Sequence, residues 1–68
     1  MIKAEGVIVQ SVARALDIIQ CFSGNNVELG ISEIADKMDL SKSTVYGLVN
    51  TLVSKGYLEQ NHQSKKYR

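Results

Sequence analysis

Polar and cationic side chains between residues 41 and 55 could together bind a polyanion. On a helix, at about 100° per residue, they share one side and the apolar residues take the other. An ordinary exposed helix face mixes Glu with Lys, so a face without acids favours a negatively charged neighbour. This face carries hydroxyls, an amide, a phenol and a cation but no carboxylate: Lys42, Ser43, Tyr46, Asn50 and Ser54.

Hydrogen bonding to phosphates and to base edges is the chemistry that this face offers. Lys42 and Ser43 stand at the helix N-terminus, where free N–H groups and the positive end of the helix dipole suit a phosphate. Tyr46 can lay its ring on a thymine methyl or hydrogen-bond a phosphate, and Asn50 can pair with adenine N6 and N7. The alternative for both is a plain surface role.

Two further residues of the stretch have less defined roles. Thr44 is turned about 100° from Ser43, so it is expected to pack sideways or to touch the backbone at the edge of a groove. Gly47 costs about 1 kcal/mol of helix propensity relative to Ala. It either permits close approach of a duplex or has no role.

The charge of the chain is divided unevenly about residue 40. Residues 1–40 carry three basic and six acidic side chains, a net charge of −3, and residues 41–68 carry five basic and one acidic, a net charge of +4. Such asymmetry favours a polyanion-facing side. Lys65, Lys66 and Arg68 are expected to touch flanking phosphates or the minor groove, and a solvated strand end is the alternative.

Length and composition exclude several classes of protein. The 68 residues suffice for one small domain, and 44% hydrophobic content argues against disorder. No apolar run reaches membrane-spanning length, and residues 1–10 lack an apolar core and a small-residue cleavage site, so we expect neither a membrane span nor a signal peptide. The single cysteine fits the cytoplasm. Cys21 and His62 lie far apart without acid/base partners, so we expect no enzyme, metal or cofactor.

Two helices are predicted ahead of the polar stretch. After a flexible arm at residues 1–8, the first helix is expected to begin at Ser11 as N-cap and to reach residue 22 or 23 before a turn at residues 23–26. Ile18 and Cys21 are expected outside its core face, as a second, partner-facing side. The second helix is expected from about Ser32. The predicted core positions of the two helices are Val12, Ala15, Leu16, Ile19, Phe22, Ile34, Ala35 and Met38.

The third helix is predicted over residues 42–55. Ser41 is a preferred N-cap residue, Leu40 and Val45 can form a hydrophobic staple, and Gly56 is a natural C′ residue. A very short strand at residues 27–29 and a hairpin joining residues 57–59 to residues 65–68 complete the prediction. The fold class is therefore mainly α: a winged helix-turn-helix of three helices plus a small β-hairpin wing, over residues 9–68.

Four segments of the sequence resemble the N-terminal domain of IclR-type bacterial transcription regulators. They are residues 9–19 (VQSVARALDII), 31–35 (ISEIA), 40–46 (LSKSTVY) and 51–58 (TLVSKGYL). The resemblance implies a winged helix that binds a near-palindromic double-stranded DNA operator as a homodimer or tetramer. It also implies a larger C-terminal domain, absent from this chain, that binds a small-molecule effector.

The resemblance also assigns individual residues. Arg14 and Ser32 are expected near the DNA backbone, and the reading end of the third helix is expected at Lys42, Ser43, Thr44 and Tyr46. The family commonly has Arg at the position of Gly47, so the operator sequence cannot be inferred from the family. A winged helix used for protein–protein assembly remains the alternative function.

Overall fold

The computed structural model describes residues 6–24 and 27–68 of the chain, which form three helices and an irregular C-terminal hairpin. Helix α1 spans Gln10–Gln20, α2 spans Ile31–Met38 and α3 spans Lys42–Ser54. This order confirms the predicted arrangement of three helices. Asn25 and Asn26 of the predicted turn, and residues 1–5 of the predicted arm, lie outside the described residues.

The core lies where the three helices and the hairpin meet. The predicted inner faces of α2 and α3 are confirmed, because Ile34, Val45 and Val49 are fully buried and Leu48 packs against them. Tyr67 near the C-terminus is also buried, and its role in the core was not predicted. The buried hydrophobic residues are Ile18, Leu29, Ile34, Ala35, Val45, Val49, Leu52, Leu58 and Tyr67.

The predicted core face of α1 is confirmed at Ala15, Ile19 and Phe22, which pack against the core, but it was wrong at Val12 and Leu16. Ile18, expected to be exposed, is fully buried, and Cys21 packs against the core, whereas Val12 and Leu16 are each 56% exposed. Both Val12 and Leu16 line an apolar groove between α1 and α3. The face with Ile18 is an equally regular helical face, since residues 15, 18, 19 and 22 also keep the i, i+3, i+4, i+7 spacing.

The N-termini of α1 and α2 also differ from the prediction. Val9, not Ser11, is the N-cap of α1, and its carbonyl accepts from the Ala13 N–H at 3.1 Å. Gly30 is the N-cap of α2, so Ser32 lies within the first turn. The Glu33 carboxylate accepts from the Gly30 N–H at 2.9 Å and satisfies a backbone donor that has no partner inside the helix.

A tight turn joins α2 to α3, and a second one ends α3. Asp39 adopts the left-handed conformation with φ 55°, and the chain enters α3 at Ser41. Gly56 has φ 84° and donates to Val53, while Tyr57 donates to Leu52 at 2.9 Å. This pair of bonds is a Schellman motif, which confirms the predicted helix stop at Gly56.

The part of the C-terminal hairpin that is paired through its backbone is shorter than predicted. The N–H groups of Tyr57 and Leu58 bond to the Leu52 carbonyl, so backbone pairing starts only at Glu59, which exchanges two 3.0 Å hydrogen bonds with Arg68. Among the described residues, β-structure is limited to bridges of Tyr67 with Leu29 and with Gln60. The predicted strand at residues 27–29 is thus a single bridge.

Two surface features complete the description. Gly6, Val7 and Ile8 are exposed ahead of α1, and Val7 is 96% exposed. In the part of the chain that the structure describes, no helix has the length and apolar character needed to cross a membrane.

Candidate nucleic-acid interface

The N-terminus of α3 is fixed by Ser41. Its hydroxyl accepts from the Thr44 N–H at 3.3 Å and donates to the Thr44 hydroxyl at 2.9 Å, and it lies 3.4 Å from the Ser43 hydroxyl. This cap satisfies one of the free N–H groups and leaves Lys42, the first residue of the helix, exposed. The positive end of the helix dipole therefore points to solvent beside a cation.

The polar face of α3 points away from the core along its whole length. Ser43, Tyr46 and Asn50 are separated by three and four residues, so they lie on one side of the helix, and all three are exposed. Tyr46 is 56% exposed. The opposite side holds the buried Val45 and Val49, so the helix presents an exposed, acid-free face that a groove can accept.

Gly47 lies at the middle of this face. A Cβ built on it meets no atom within 4 Å, so nothing within the protein requires glycine there. Its carbonyl accepts from the Thr51 hydroxyl at 2.8 Å, and the Ser54 hydroxyl donates to the Thr51 carbonyl at 2.7 Å. Thr51 and Ser54 thus bond to their own helix, whereas Asn50 has no side-chain hydrogen bond within the described part of the chain.

The structure places two of the three predicted wing cations against carboxylates. Lys66 Nζ lies 3.5 Å from Glu33 Oε1. Arg68 Nε lies 2.7 Å from Glu59 Oε1, and its Nη1 lies 3.6 Å from Glu28 Oε2. The hydrogen bond and the charge of Glu59 raise the pKa of the Arg68 guanidinium above its ordinary value.

The other cations of residues 41–68 have no such partners in the part of the chain that the structure describes. Lys42, Lys55 and Lys65 form no ion pair among residues 6–24 and 27–68. The basic half of the sequence is thus partly neutralised by folding, and its unpaired charge lies at Lys42 on α3, at Lys55 directly after α3 and at Lys65 in the hairpin turn.

The two predicted backbone contacts outside α3 lie on the other helices. Arg14 is half-buried on α1, and Ser32 is exposed as the second residue of α2. Ser32 is thus available at a helix N-terminus. The structure brings Lys42, Ser43, Tyr46, Gly47 and Asn50 together on one face.

Sequence reasoning missed the residues that shape the hairpin. Asn61 Oδ1 accepts from the N–H groups of Gln63 and Ser64 at 2.9 and 3.3 Å, which closes an Asx turn without glycine. Lys65 follows with φ 66°. Glu28 reaches the same turn, because its carboxylate lies 3.5 Å from the Asn61 amide nitrogen. The sequence signal that could have indicated this Asx turn is the Asn within the predicted hairpin turn.

Other chemistry has no support within the described residues. No group of three or more His, Cys, Asp or Glu side chains there is placed to hold a metal ion. Cys21 is half-buried and unpaired, and His62 is exposed at the hairpin turn.

Residues 11–62 match the family model described as the IclR helix-turn-helix domain. The matched segment contains all three helices except the first residue of α1.

Curated relatives are transcription regulators. The chain is 48% identical over 61 residues to the HTH-type transcriptional regulator XynR of Escherichia coli, covering 90% of this chain and 24% of that protein. It is 41% identical over 59 residues to the HTH-type transcriptional regulator KdgR of Dickeya chrysanthemi, covering 87% and 19%. It is 35% identical over 60 residues to the glycerol operon regulatory protein of Streptomyces coelicolor, covering 88% and 24%.

A solved structure is also similar. The fold matches the crystal structure of an IclR family transcriptional regulator from Brucella abortus with a TM-score of 0.85 and 43% identity, over 90% of this chain and 24% of that one. The chain thus spans about a quarter of the length, or less, of the proteins it matches.

Proposed function

Because this chain belongs to the IclR family and is an IclR-type helix-turn-helix DNA-binding domain of a transcription regulator, we propose that it reads DNA with α3 in the major groove. The C-terminal hairpin, residues 57–68, then acts as the wing on the flanking backbone. A major groove of B-DNA admits one α-helix, whose exposed side chains reach the base edges.

The acid-free exposed face of α3 is the observation that carries this proposal. Lys42, Ser43, Tyr46 and Asn50 are exposed on a helix whose opposite side is buried in the core. Because no carboxylate on this face would repel phosphates, the helix can lie between the two backbones of a groove. Gly47 adds room, since its Cα faces open space.

Base contacts are assigned to the middle of the helix and backbone contacts to its start. Asn50 has the donor and acceptor that pair with adenine, and Tyr46 provides a ring for a thymine methyl. Lys42, Ser43 and Thr44 surround the N-terminus of α3, where phosphate contacts fix the register of the helix.

Arg14, Ser32 and the wing contribute further contacts with the backbone. Ser32 stands in the first turn of α2, and the wing cations are Lys65, Lys66 and Arg68. These contacts orient the domain on the duplex and do not read sequence directly.

The whole regulator extends this function beyond the chain. We propose a homodimer or tetramer on a near-palindromic operator, with the two α3 helices about 34 Å apart or a multiple of that distance. A C-terminal domain outside this chain would bind a small-molecule effector, and the protein would act in the cytoplasm without a resident cofactor. The relatives are named as transcription regulators, and we propose no enzyme activity for this chain.

A protein–protein assembly module is the second candidate function. The apolar groove lined by Val12, Leu16, Leu48, Leu52 and Tyr57 favours it. The acid-free face of α3 does not belong to that groove, so assembly through the groove would leave the DNA-reading face free.

Selection from a pool of random duplexes tests the proposal. The protein and an Asn50→Ala variant are each incubated with the pool at two ionic strengths, and bound duplexes are sequenced. We expect one enriched sequence for the wild type, with affinity that falls steeply with added salt because phosphate neutralisation releases counterions. Asn50→Ala should lose preference at one base pair, at a cost of roughly 1–3 kcal/mol.

Two results would contradict the proposal. Absence of enrichment together with salt-independent binding would reject DNA reading. An unchanged sequence preference in Asn50→Ala would reject the role given to Asn50 but leave the placement of the helix.

A further inference from the structure

Two acidic residues next to the start of α2 hold the wing. Glu33 bonds to the Gly30 N–H at 2.9 Å and pairs with Lys66 at 3.5 Å. Glu28 pairs with Arg68 at 3.6 Å and accepts from the Ser64 hydroxyl at 3.4 Å. Both carboxylates thus join the helix-turn-helix to the far end of the chain.

Backbone pairing brings these groups together. Leu29 and Tyr67 exchange hydrogen bonds of 2.9 and 2.8 Å. The antiparallel Leu29–Tyr67 pairing sets Glu28 opposite Arg68 and sets Gly30, whose N–H bonds to Glu33, opposite Lys66. A Cβ on Gly30 would be in ordinary van der Waals contact with both side chains, at 3.5 Å from Glu33 Oε1 and 4.0 Å from Lys66 Cγ.

The charge balance of the wing depends on these pairs. Lys66 and Arg68 are two of the three wing cations, and both are occupied by carboxylates while Lys65 is not among the ion pairs of the described residues. Exposed ion pairs are individually weak, and both partners of the Lys66–Glu33 pair remain about half exposed. A DNA phosphate would therefore have to compete with a carboxylate for each cation.

We propose that Glu28 and Glu33 are specificity-determining positioning residues. They fix the wing against α2, and they limit the access of Lys66 and Arg68 to phosphates of DNA in general. This inference rests on the proposed DNA-reading function. When both carboxylates are neutralised, Lys66 loses its ion pair, whereas Arg68 keeps its 2.7 Å pair with Glu59. Since non-specific affinity comes almost entirely from phosphate contacts, freeing Lys66 raises non-specific binding. Loosening the wing does not improve its fit to one operator.

A charge-matched pair of variants tests the proposal. E28Q/E33Q removes the charge of the two carboxylates that hold the wing and keeps the shape and one hydrogen-bond-accepting oxygen of each side chain. D17N/D36N makes the same change in net charge at exposed acids that pair with no cation in residues 6–24 and 27–68. Each protein is titrated with a mixed-sequence duplex and with the duplex enriched by selection, at several salt concentrations.

The expected result is a selective gain in non-specific binding. For E28Q/E33Q, in which Lys66 is freed, Kd for the mixed-sequence duplex should fall by about threefold to tenfold, and the salt slope should steepen by about 0.9. Kd for the enriched duplex should change less, so the specificity ratio falls. The same change in D17N/D36N would overturn the proposal, because net charge alone would then explain it, as would unchanged non-specific binding in E28Q/E33Q.

Hydrogen exchange gives a readout without DNA. The amide protons of Leu29 and Tyr67 should exchange faster in E28Q/E33Q than in the wild type or D17N/D36N. The two hydrogen bonds between these residues attach the wing, and they should open more often when the ion pairs beside them are lost. Equal exchange in all three proteins would overturn the positioning role. If the wild type binds no duplex at all, the proposed function fails, and faster exchange of these amides still supports the wing attachment.

Discussion

The Ser41 hydroxyl both accepts from the backbone N–H of Thr44, at 3.3 Å, and donates to the Thr44 hydroxyl, at 2.9 Å. This pair fixes the point at which the chain leaves the α2–α3 turn and enters α3. The direction of the exposed face of α3 depends on that point, because starting the helix one residue earlier or later would rotate the face by about 100°.

Replacing Ser41 with Ala should destabilise the fold by about 1 kcal/mol, because the Thr44 N–H loses its partner. Urea unfolding followed by circular dichroism measures the change. Ser41→Asp is the control, since Asp also caps helices and favours the positive dipole end. Equal losses in both variants would show that the cap is not the source of the effect.

Lys42→Ala should weaken binding to all duplexes alike and reduce the salt slope by about one unit, because Lys42 is assigned to a phosphate. Titrations at several salt concentrations measure the slope. Lys37→Ala removes the same charge from an exposed position of α2 and serves as the matched control. A changed sequence preference in Lys42→Ala would instead place this residue at a base edge.

Gly47→Ala should stabilise the protein by about 0.5–1 kcal/mol, because Ala is the better helix former and a Cβ meets no atom within 4 Å. Thermal or urea unfolding measures the gain. A simultaneous loss of duplex affinity would show that DNA approaches this position closely. Destabilisation by Ala would contradict the open surroundings of Gly47.

The contribution of Glu33 to stability should depend on pH. The hydrogen bond from the Gly30 N–H, followed by the charge of Lys66, lowers the pKa of Glu33 in the folded protein. A lowered folded-state pKa gives stability that is present above the unfolded-state pKa, about 4.3 for Glu, and is lost as the pH falls through the folded-state value.

Glu33→Gln isolates this effect, because Gln can still accept from the Gly30 N–H but cannot ionise. We expect the wild type to be more stable than the variant at pH 7 and the difference to vanish at low pH, as measured by urea unfolding across the pH range. A difference that does not vary with pH would contradict the ionic role of Glu33.

The sequence predicted α3 well because its signals are local. Ser41, Gly56 and the spacing of Val45, Val49 and Leu52 each act within one or two helical turns, and all three features are present in the structure. The exposed polar face followed directly from that spacing.

The rotation of α1 could not be predicted in the same way. Its apolar residues cover more than half of the helix circumference, so two faces satisfy the spacing, one with Val12 and Leu16 and one with Ile18. Packing against α2 and α3 selects the face with Ile18. Residues that are distant in sequence make this choice.

The ion pairs of the wing could not be predicted from the sequence either, because they also join residues that are distant in the chain. The location of the wing was predicted from alternation, but the pairing of Glu28 with Arg68 and of Glu33 with Lys66 joins residues in the middle of the chain to residues at its C-terminal end. The left-handed Lys65 and the Asx turn at Asn61 replace the glycine that a hairpin turn usually uses.

A chemical-shift titration of the backbone amides with the enriched duplex tests most directly whether α3 enters the groove. If it does, the largest shifts fall on the α3 face at Ser43, Tyr46, Gly47 and Asn50, with smaller shifts at the wing. Largest shifts at Val12 and Leu16, with the α3 face unchanged, would contradict the account.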